Sequence, residues 1–335
     1  MTNPGVLQIP SMKDQCSPAE WQARIDLAAC YRLVDLYGMS DMMANHISSH
    51  VPGEKGAFLI NPTMMYEEIT ASSLIKVDPN GNILSSPDFG ELNYGINKAG
   101  YVIHSAVHAA RPDVACVIHT HSWASMAVSS LECGLLPLTQ TAMRFLKIGY
   151  HDYQGVVLNT AEQASLLEDL GDREAVIFRN HGALVVGRSV GEAFNWMHRL
   201  ELACRAQIGA MSCNTPLKAV PQEVLEETWN NYQPGTRRPY GSWNGRRCCA
   251  SSTAWIRASA SDPRMTIEPN IAHSQRLRVM MSEPAIERLG DEVRHLLRAV
   301  PHELVAPRAD AQPHIAFVSR DVTGLSTKHQ CCQAR

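Results

Sequence analysis

Two histidines, His119 and His121, stand one residue apart in CVIHTHSWASMAV, residues 116–128, where an apolar run ends. Side chains on a strand alternate with period two, so both imidazoles project from one face. Neutral imidazole binds zinc and similar ions, and catalytic metal sites commonly combine three protein ligands with an open position. A third ligand must come from elsewhere in the chain. His181, in FRNHGALVVG, has a matching context, with an apolar run before it and a glycine after it that permits a sharp turn. Alone, the pair also reads as two hydrogen-bonded histidines closing a strand. With His181 it reads as a divalent-metal site for Zn2+, with Mn2+ or Fe2+ also suited to imidazole.

Other polar residues have plainer readings. His104 and His108 lie four apart on one helical stretch, as a metal pair or as packed residues bracing the site. His151 lies near Tyr153 and reads as a pocket residue or a loop histidine. Glu201 falls mid-helix as a structural partner, and Cys116 and Cys204 as small buried residues. Arg111-Pro112-Asp113 reads as a helix-ending turn.

The elements that must position these groups are legible in outline. Residues 17–39 predict a helix, with Ser17 as N-cap, Pro18 in the first turn and Glu20 completing a capping box. Short strand-like runs follow, ISSHV, AFLI, LIKVD and ILSS, with DPNGN as a turn. Residues 97–110 read as a helix, ACVIHTH as a buried strand, 161–170 as a helix, EAVIF and ALVVG as strands, and 189–212 as a long amphipathic helix. The alternation implies one α/β domain over about residues 15–215.

Composition bounds the function. The chain has 335 residues, is 45% apolar and 19% charged, and carries a net charge of −3. That gives no global basic field for nucleic acid or anionic lipid; Arg237 and Arg238 are too short a basic pair to change this. No apolar run reaches the roughly 18 residues of a membrane span, and the N-terminus lacks the pattern of a secretory signal. Ten cysteines without a CxxC pair fit reduced thiols and a cytoplasmic location.

The tail differs. From Ser242 onward arginine outnumbers lysine 12 to 1, against 11 to 6 before it. Back-translated and read in a shifted frame, the start of this segment gives VMEWPALLRKLDRMDP, which has the apolar spacing of a short amphipathic helix. Residues beyond about Gly241 therefore read as an out-of-frame extension, or else as a poorly ordered tail. The expected division is an N-terminal segment 1–16, a domain 17–241 and an atypical tail 242–335.

The run AGYVIHSAVHAARPDVACVIHTH, followed by RNHG and then EAF and LELACRAQ, resembles the class II aldolase/adducin family. So does LYGMSDMMANHISSHVP with FLINPTMMYEEITASSLIKVD, and the resemblance spans about residues 18–240. NKAGYVIHSAVHAARPD, EEITASSL and HDYQGV are most similar to an adducin-head-like bacterial branch. The resemblance implies a class II aldolase-like α/β/α sandwich with a mainly antiparallel central sheet. It also implies a homo-oligomer, often a tetramer, with sites at subunit interfaces.

Residue by residue, the resemblance implies that His119, His121 and His181 are metal ligands. Asn45 and Thr63 match substrate-binding residues of a phosphate pocket, although Met64 stands where the family has glycine. The phosphate-binding serine pair would fall at Lys98 and Ala99. Gly100 occupies the position of the aldolases' glutamate, a metal ligand and acid/base. Tyr153 matches a tyrosine that donates a proton from the neighbouring subunit, and otherwise reads as structural. Glu91 reads as a substitute base or as an ordinary loop residue. The expectation is a metal-dependent lyase, aldolase- or decarboxylase-type, acting on a small carbonyl or hydroxy-carboxylate and not a classical sugar-phosphate aldolase. The alternatives are a non-catalytic adducin-head-like module for oligomerisation or protein binding, and an Fe(II) centre for oxygen chemistry. No nucleic-acid or membrane partner is expected, and no residue supports actin binding.

Overall fold

The computed structural model describes residues 9–90, 95–155 and 162–233. All of them belong to the first of two units, Met1–Met265. Glu91, Arg237, Arg238 and the atypical tail 242–335 lie outside the described residues.

Helix α1 (Pro18–Leu36) starts where its cap residues predict: the Ser17 hydroxyl accepts the Glu20 amide at 3.1 Å. The reciprocal half of the expected capping box is replaced. The buried Glu20 carboxylate instead pairs with Arg24 at 2.8 Å and Lys76 at 2.9 Å, tying the helix to the sheet. The helix also stops short of residue 39, at Tyr37, before Gly38 turns the chain at φ +64°.

Eight strands form one sheet: β1 (His46–His50), β2 (Phe58–Ile60), β3 (Ile75–Val77), β4 (Ile83–Ser85), β5 (Cys116–Thr120), β6 (Gly149–His151), β7 (Ala175–Phe178) and β8 (Gly182–Gly187). Their order is β4-β3-β2-β1-β5-β8-β7-β6. Every pairing between neighbours is antiparallel except β6 with β7. The mainly antiparallel sheet implied by the family resemblance is therefore present, although alternating helices and strands in a sequence usually signal a parallel one.

Strand alternation builds two cores. Cys116, Ile118, Ile177, Ala183 and Val185 face one way, packing with α1 and α6 (Val190–Ser212). Val117, Val176, Leu184 and Val186 face the other way, packing with Ile103 and Val107 of α2 (Lys98–Ala110) and Leu166 and Leu170 of α5 (Gln163–Leu170). Each such valine, leucine or isoleucine, wholly removed from water, contributes about 1.5–3 kcal/mol. The result is the α/β/α sandwich.

Short elements escaped the sequence reading. These are α3 (Trp123–Ser129), α4 (Gln140–Met143) and β6, each too brief to display a period. Helix α7 (Gln222–Asn231) extends the fold past residue 215 by packing on α4. There, Arg144 lies over the Tyr232 ring and Lys147 over Trp229. No helix among the described residues is long and apolar enough to cross a membrane.

Candidate metal centre

Strand β5 delivers His119 and His121 to the face that carries α2 and α5. The register pairs His119 with His46 on β1 and with Leu184 on β8. His181 comes from the turn joining β7 to β8. Asn180 makes that turn in the left-handed region, at φ +57°, so the sharp bend falls there and not at Gly182. Gly182 has a different use. A Cβ on it would lie 2.5 Å from the Thr120 carbonyl oxygen, so only glycine lets the two strand ends close on each other. The Ser129 hydroxyl accepts the His181 amide at 3.2 Å and anchors the turn.

The three histidines meet. Nε2 of His121 lies 3.0 Å from Nε2 of His119 and 2.8 Å from Nε2 of His181. Among the described residues, this is the group of histidine, cysteine and carboxylate side chains that could hold a metal ion. Mutual hydrogen bonds cannot satisfy the arrangement, because a neutral imidazole has one N–H and one lone pair. Burial, reinforced by the neighbouring imidazoles, holds His119 well below the usual histidine range and His181 at about 4. Both are thus neutral at pH 7, in the state that binds metal. His121 has a carboxylate behind it: its Nδ1 lies 3.1 Å from Asp41 Oδ2. With the Nδ1 proton on that bond, Nε2 keeps its lone pair. His119 has no such support, and its Nδ1 is buried without a hydrogen bond. Its ring is held by stacking on His46, with centroids 4.8 Å apart, and by the edge of Phe178. Converging ring nitrogens, one ring oriented by a carboxylate, fit a divalent ion.

The other expected residues are placed as follows. Asn45 is fully buried; its Oδ1 accepts the Asp41 amide at 2.6 Å and so positions the loop carrying Asp41. Its Nδ2 is buried without a partner. Thr63 is half-buried beside Pro62, which bridges to Ile96 just before α2. Tyr153 is 55% exposed, with its ring 6.3 Å from that of His181. His151 is held away from the triad's ligand set, buried between Asp169 at 2.7 Å and Glu162 at 2.9 Å. Glu201 accepts from Ser122 at 2.5 Å and Arg205 at 2.7 Å, a structural role. Cys116 and Cys204 are buried, and burial pushes the Cys204 thiol up.

Two features were missed. One is the Asp41 support of His121. The other is His46, fully enclosed beside the triad. A Cβ on Gly100 would lie 2.6 Å from two atoms of the His46 ring, so that ring fills the room a side chain at position 100 would need. The sequence carried a signal for it: His46, Ser48 and His50 alternate along one strand face, opposite His104 and His108 on one helix face.

An α/β/α sandwich with a three-histidine group at the ends of two neighbouring strands defines the class. The family described as Class II Aldolase and Adducin N-terminal domain matches residues 25–208. The chain belongs to this family. It is 50% identical over 214 residues to a Pseudomonas aeruginosa protein named for the aldolase class 2 group, covering 63% of this chain and 80% of that one. It is 42% identical over 222 residues to alpha-adducin of Rattus norvegicus, covering 65% of this chain but 30% of the adducin. The crystal structure of an aldolase II superfamily protein from Pseudomonas syringae is similar at a TM-score of 0.65 and 42% identity, over 73% of this chain and 98% of that one. An L-fuculose 1-phosphate aldolase from Glaciozyma antarctica shares the fold at a TM-score of 0.62 and 24% identity, over 76% of this chain and 96% of that one.

Proposed function

We propose that the protein is a divalent-metal-dependent lyase that cleaves a carbon–carbon bond in a small carbonyl carboxylate or hydroxy-carboxylate. The single observation that carries this is the convergence of Nε2 from His119, His121 and His181. These three would hold the ion, Zn2+ foremost, with Asp41 fixing the ring of His121. A divalent ion bound there would supply Lewis-acid polarisation of a substrate carbonyl. The unpaired Nδ2 of Asn45 offers a buried donor to a substrate oxygen, with Thr63 as a second polar contact. Tyr153, 55% exposed, is the proton donor, reaching the site of the neighbouring subunit. Gly100 leaves the chain without the glutamate of the classical aldolases, and this favours decarboxylation, which needs no base to create the carbanion.

A cytoplasmic homo-oligomer, a tetramer by family resemblance, is part of the proposal. The domain proper is proposed to end near Gly241, with an out-of-frame extension beyond it. Sequencing across the codons for Tyr240 to Trp243 tests this; an intact frame with an ordered C-terminal domain overturns it.

The test of the lyase is a screen of metal-loaded protein against 2-oxo acids and hydroxy-carboxylates for cleavage or CO2 release. Turnover is expected in the wild type, to be lost in His119→Ala and depressed in Tyr153→Phe. The likeness to alpha-adducin and the glycine at position 100 favour a second reading, a non-catalytic module for oligomerisation or protein binding. A stably metal-loaded protein that turns over none of these compounds supports the module.

A further inference from the structure

At the end of the sheet remote from the triad, a cavity of about 560 Å³ opens between the strand ends, α4, α6 and α7. Small-molecule sites run from roughly 300 to 1,000 Å³, so its size suits one. The triad lies where β5 ends and β8 begins. The cavity lies where β8 ends, at Gly187, and where β5 and β7 begin, beside Val114 and Ala175. At about 3.3 Å per residue, the five residues of β5 set the two places roughly 15 Å apart.

The floor is apolar. Ala175, Val186, Phe145 and Trp196 are buried there, the two rings packed edge to face with centroids 5.5 Å apart. Trp229 of α7 adds a half-buried ring, with the Lys147 ammonium 3.9 Å from its centroid. The rim is charged, and its acidic groups gather on one cation. Asp113 grips Arg111 with both carboxylate oxygens at 2.9 Å, and Glu174 and Asp172 add to the field that keeps this guanidinium charged. Glu192 accepts the Arg188 amide at 3.2 Å. Lys147 and Arg173 differ: among the described residues neither is in an ion pair. Arg173 donates to backbone carbonyls, from Nε to Lys147 at 2.9 Å and from Nη1 to Asp169 at 3.3 Å and Leu170 at 3.5 Å. Those neutral acceptors fix the plane of the guanidinium and leave its charge uncompensated. The first of them also ties Arg173 to the backbone of Lys147, so both cations belong to one wall.

We propose that this cavity binds a small aromatic anion, its ring laid on Phe145, Trp196 and Trp229 and its carboxylate or phosphate held by Lys147 and Arg173. Nη2 of Arg173 makes no hydrogen bond among the described residues, so this edge of the guanidinium and the Lys147 ammonium are the donors to the anion. Arg111 acts otherwise. Its Nη1 donates to the carbonyls of Gly171 and Arg173 at 2.7 and 3.2 Å, so with Asp113 it braces the loop that carries Arg173. A neutral aromatic compound meets the floor without the two cations, and a bare inorganic anion meets the cations without the floor. The cavity selects a ligand that has both parts.

The test is binding of 2-naphthoate and of AMP to the 15N-labelled full chain, each against its neutral counterpart, 2-naphthylmethanol or adenosine. Calorimetry reads the affinity, and the indole N–H signals of Trp196 and Trp229 read the place. At least one anion should bind with a Kd below about 1 mM and shift both indole signals. Which of the two binds tells a carboxylate site from a phosphate site. The neutral counterpart should bind about tenfold more weakly or worse. Lys147→Met keeps an apolar stem on Trp229 but removes the charge, and it should weaken binding by about tenfold. His119→Ala should bind the anion as the wild type does, which separates this cavity from the metal centre; if it does not fold, wild-type protein stripped by a chelator takes its place. Failure of both anions to bind below about 1 mM overturns the proposal. So do neutral compounds that bind as well as the anions, unmoved indole signals, unchanged affinity in Lys147→Met, or binding that is lost with the metal.

Discussion

Two histidine clusters share one face of the sheet and use the same side chain in opposite ways. In the first, His119, His121 and His181 turn their Nε2 atoms toward a common point, where hydrogen bonding cannot satisfy all three. In the second, His46, His104 and His108 are strung in line through Ser48, with the four inner ring nitrogens each facing one partner. Burial keeps His119 and His181 of the first and all three of the second in the neutral form, so charge does not separate the clusters. What separates them is the direction of the lone pairs. Convergent lone pairs fit a metal ion, and alternating donors and acceptors make a hydrogen-bonded line. The clusters meet at one contact, the stack of His46 on His119.

The largest effect is expected within the convergent cluster. His181→Ala should lose bound metal, an effect on the order of a hundredfold or more in affinity, beyond that of an orienting partner. The tautomers of the linear cluster should stay ordered; metal analysis and imidazole NMR check the two halves. Gly100→Ala strikes the other cluster. A methyl group pressed against the His46 ring should destabilise the fold by up to about 3 kcal/mol. A double-mutant cycle with His46→Ala should recover much of that loss in denaturant titrations. Additive losses would mean that the ring does not occupy that space.

Ser48→Ala removes the joint between two buried rings. It should cost about 2 kcal/mol, because His104 and His108 each lose a partner. Metal content should not change, which separates the linear cluster from the convergent one. Asp41→Asn should weaken metal binding by about tenfold, at the gentle end for a group that orients a ligand, with no change in folding. The smallest structural effect is expected from Tyr153→Phe. At an exposed ring, stability should stay within about 0.5 kcal/mol, while turnover falls.

The three-histidine group was legible because two of its members share one strand end and the third repeats their context. The orienting carboxylate was not, since Asp41 reaches His121 across 80 residues by a loop that Asn45 pins. The linear cluster was half legible. His104 and His108 were visible as a helical pair, but their partner Ser48 lies on a strand read only as ISSHV. That strand's alternation of His46, Ser48 and His50 is the local sign; its meeting with α2 is a tertiary fact no local period contains. Gly100 illustrates the limit most sharply. As a sequence position it reads as a missing glutamate, and in the fold it is the room for another residue's ring. Glycine early in a helix, unfavourable by about 1 kcal/mol against alanine, was the available hint of a close approach. The layers were easier to read, since long periodic segments such as α1 and α6 carry their own faces, whereas β6 and α4 owe their form to neighbours.

Whether the convergent cluster holds a metal ion is tested most directly by the metal content of untagged full-length protein, measured by mass spectrometry for the wild type, His119→Ala and Ser48→Ala. About one divalent ion per chain is expected in the wild type and in Ser48→Ala, and almost none in His119→Ala. Folded wild-type protein that neither contains nor takes up Zn2+, Mn2+ or Fe2+, or a His119→Ala protein that keeps its ion, would contradict it.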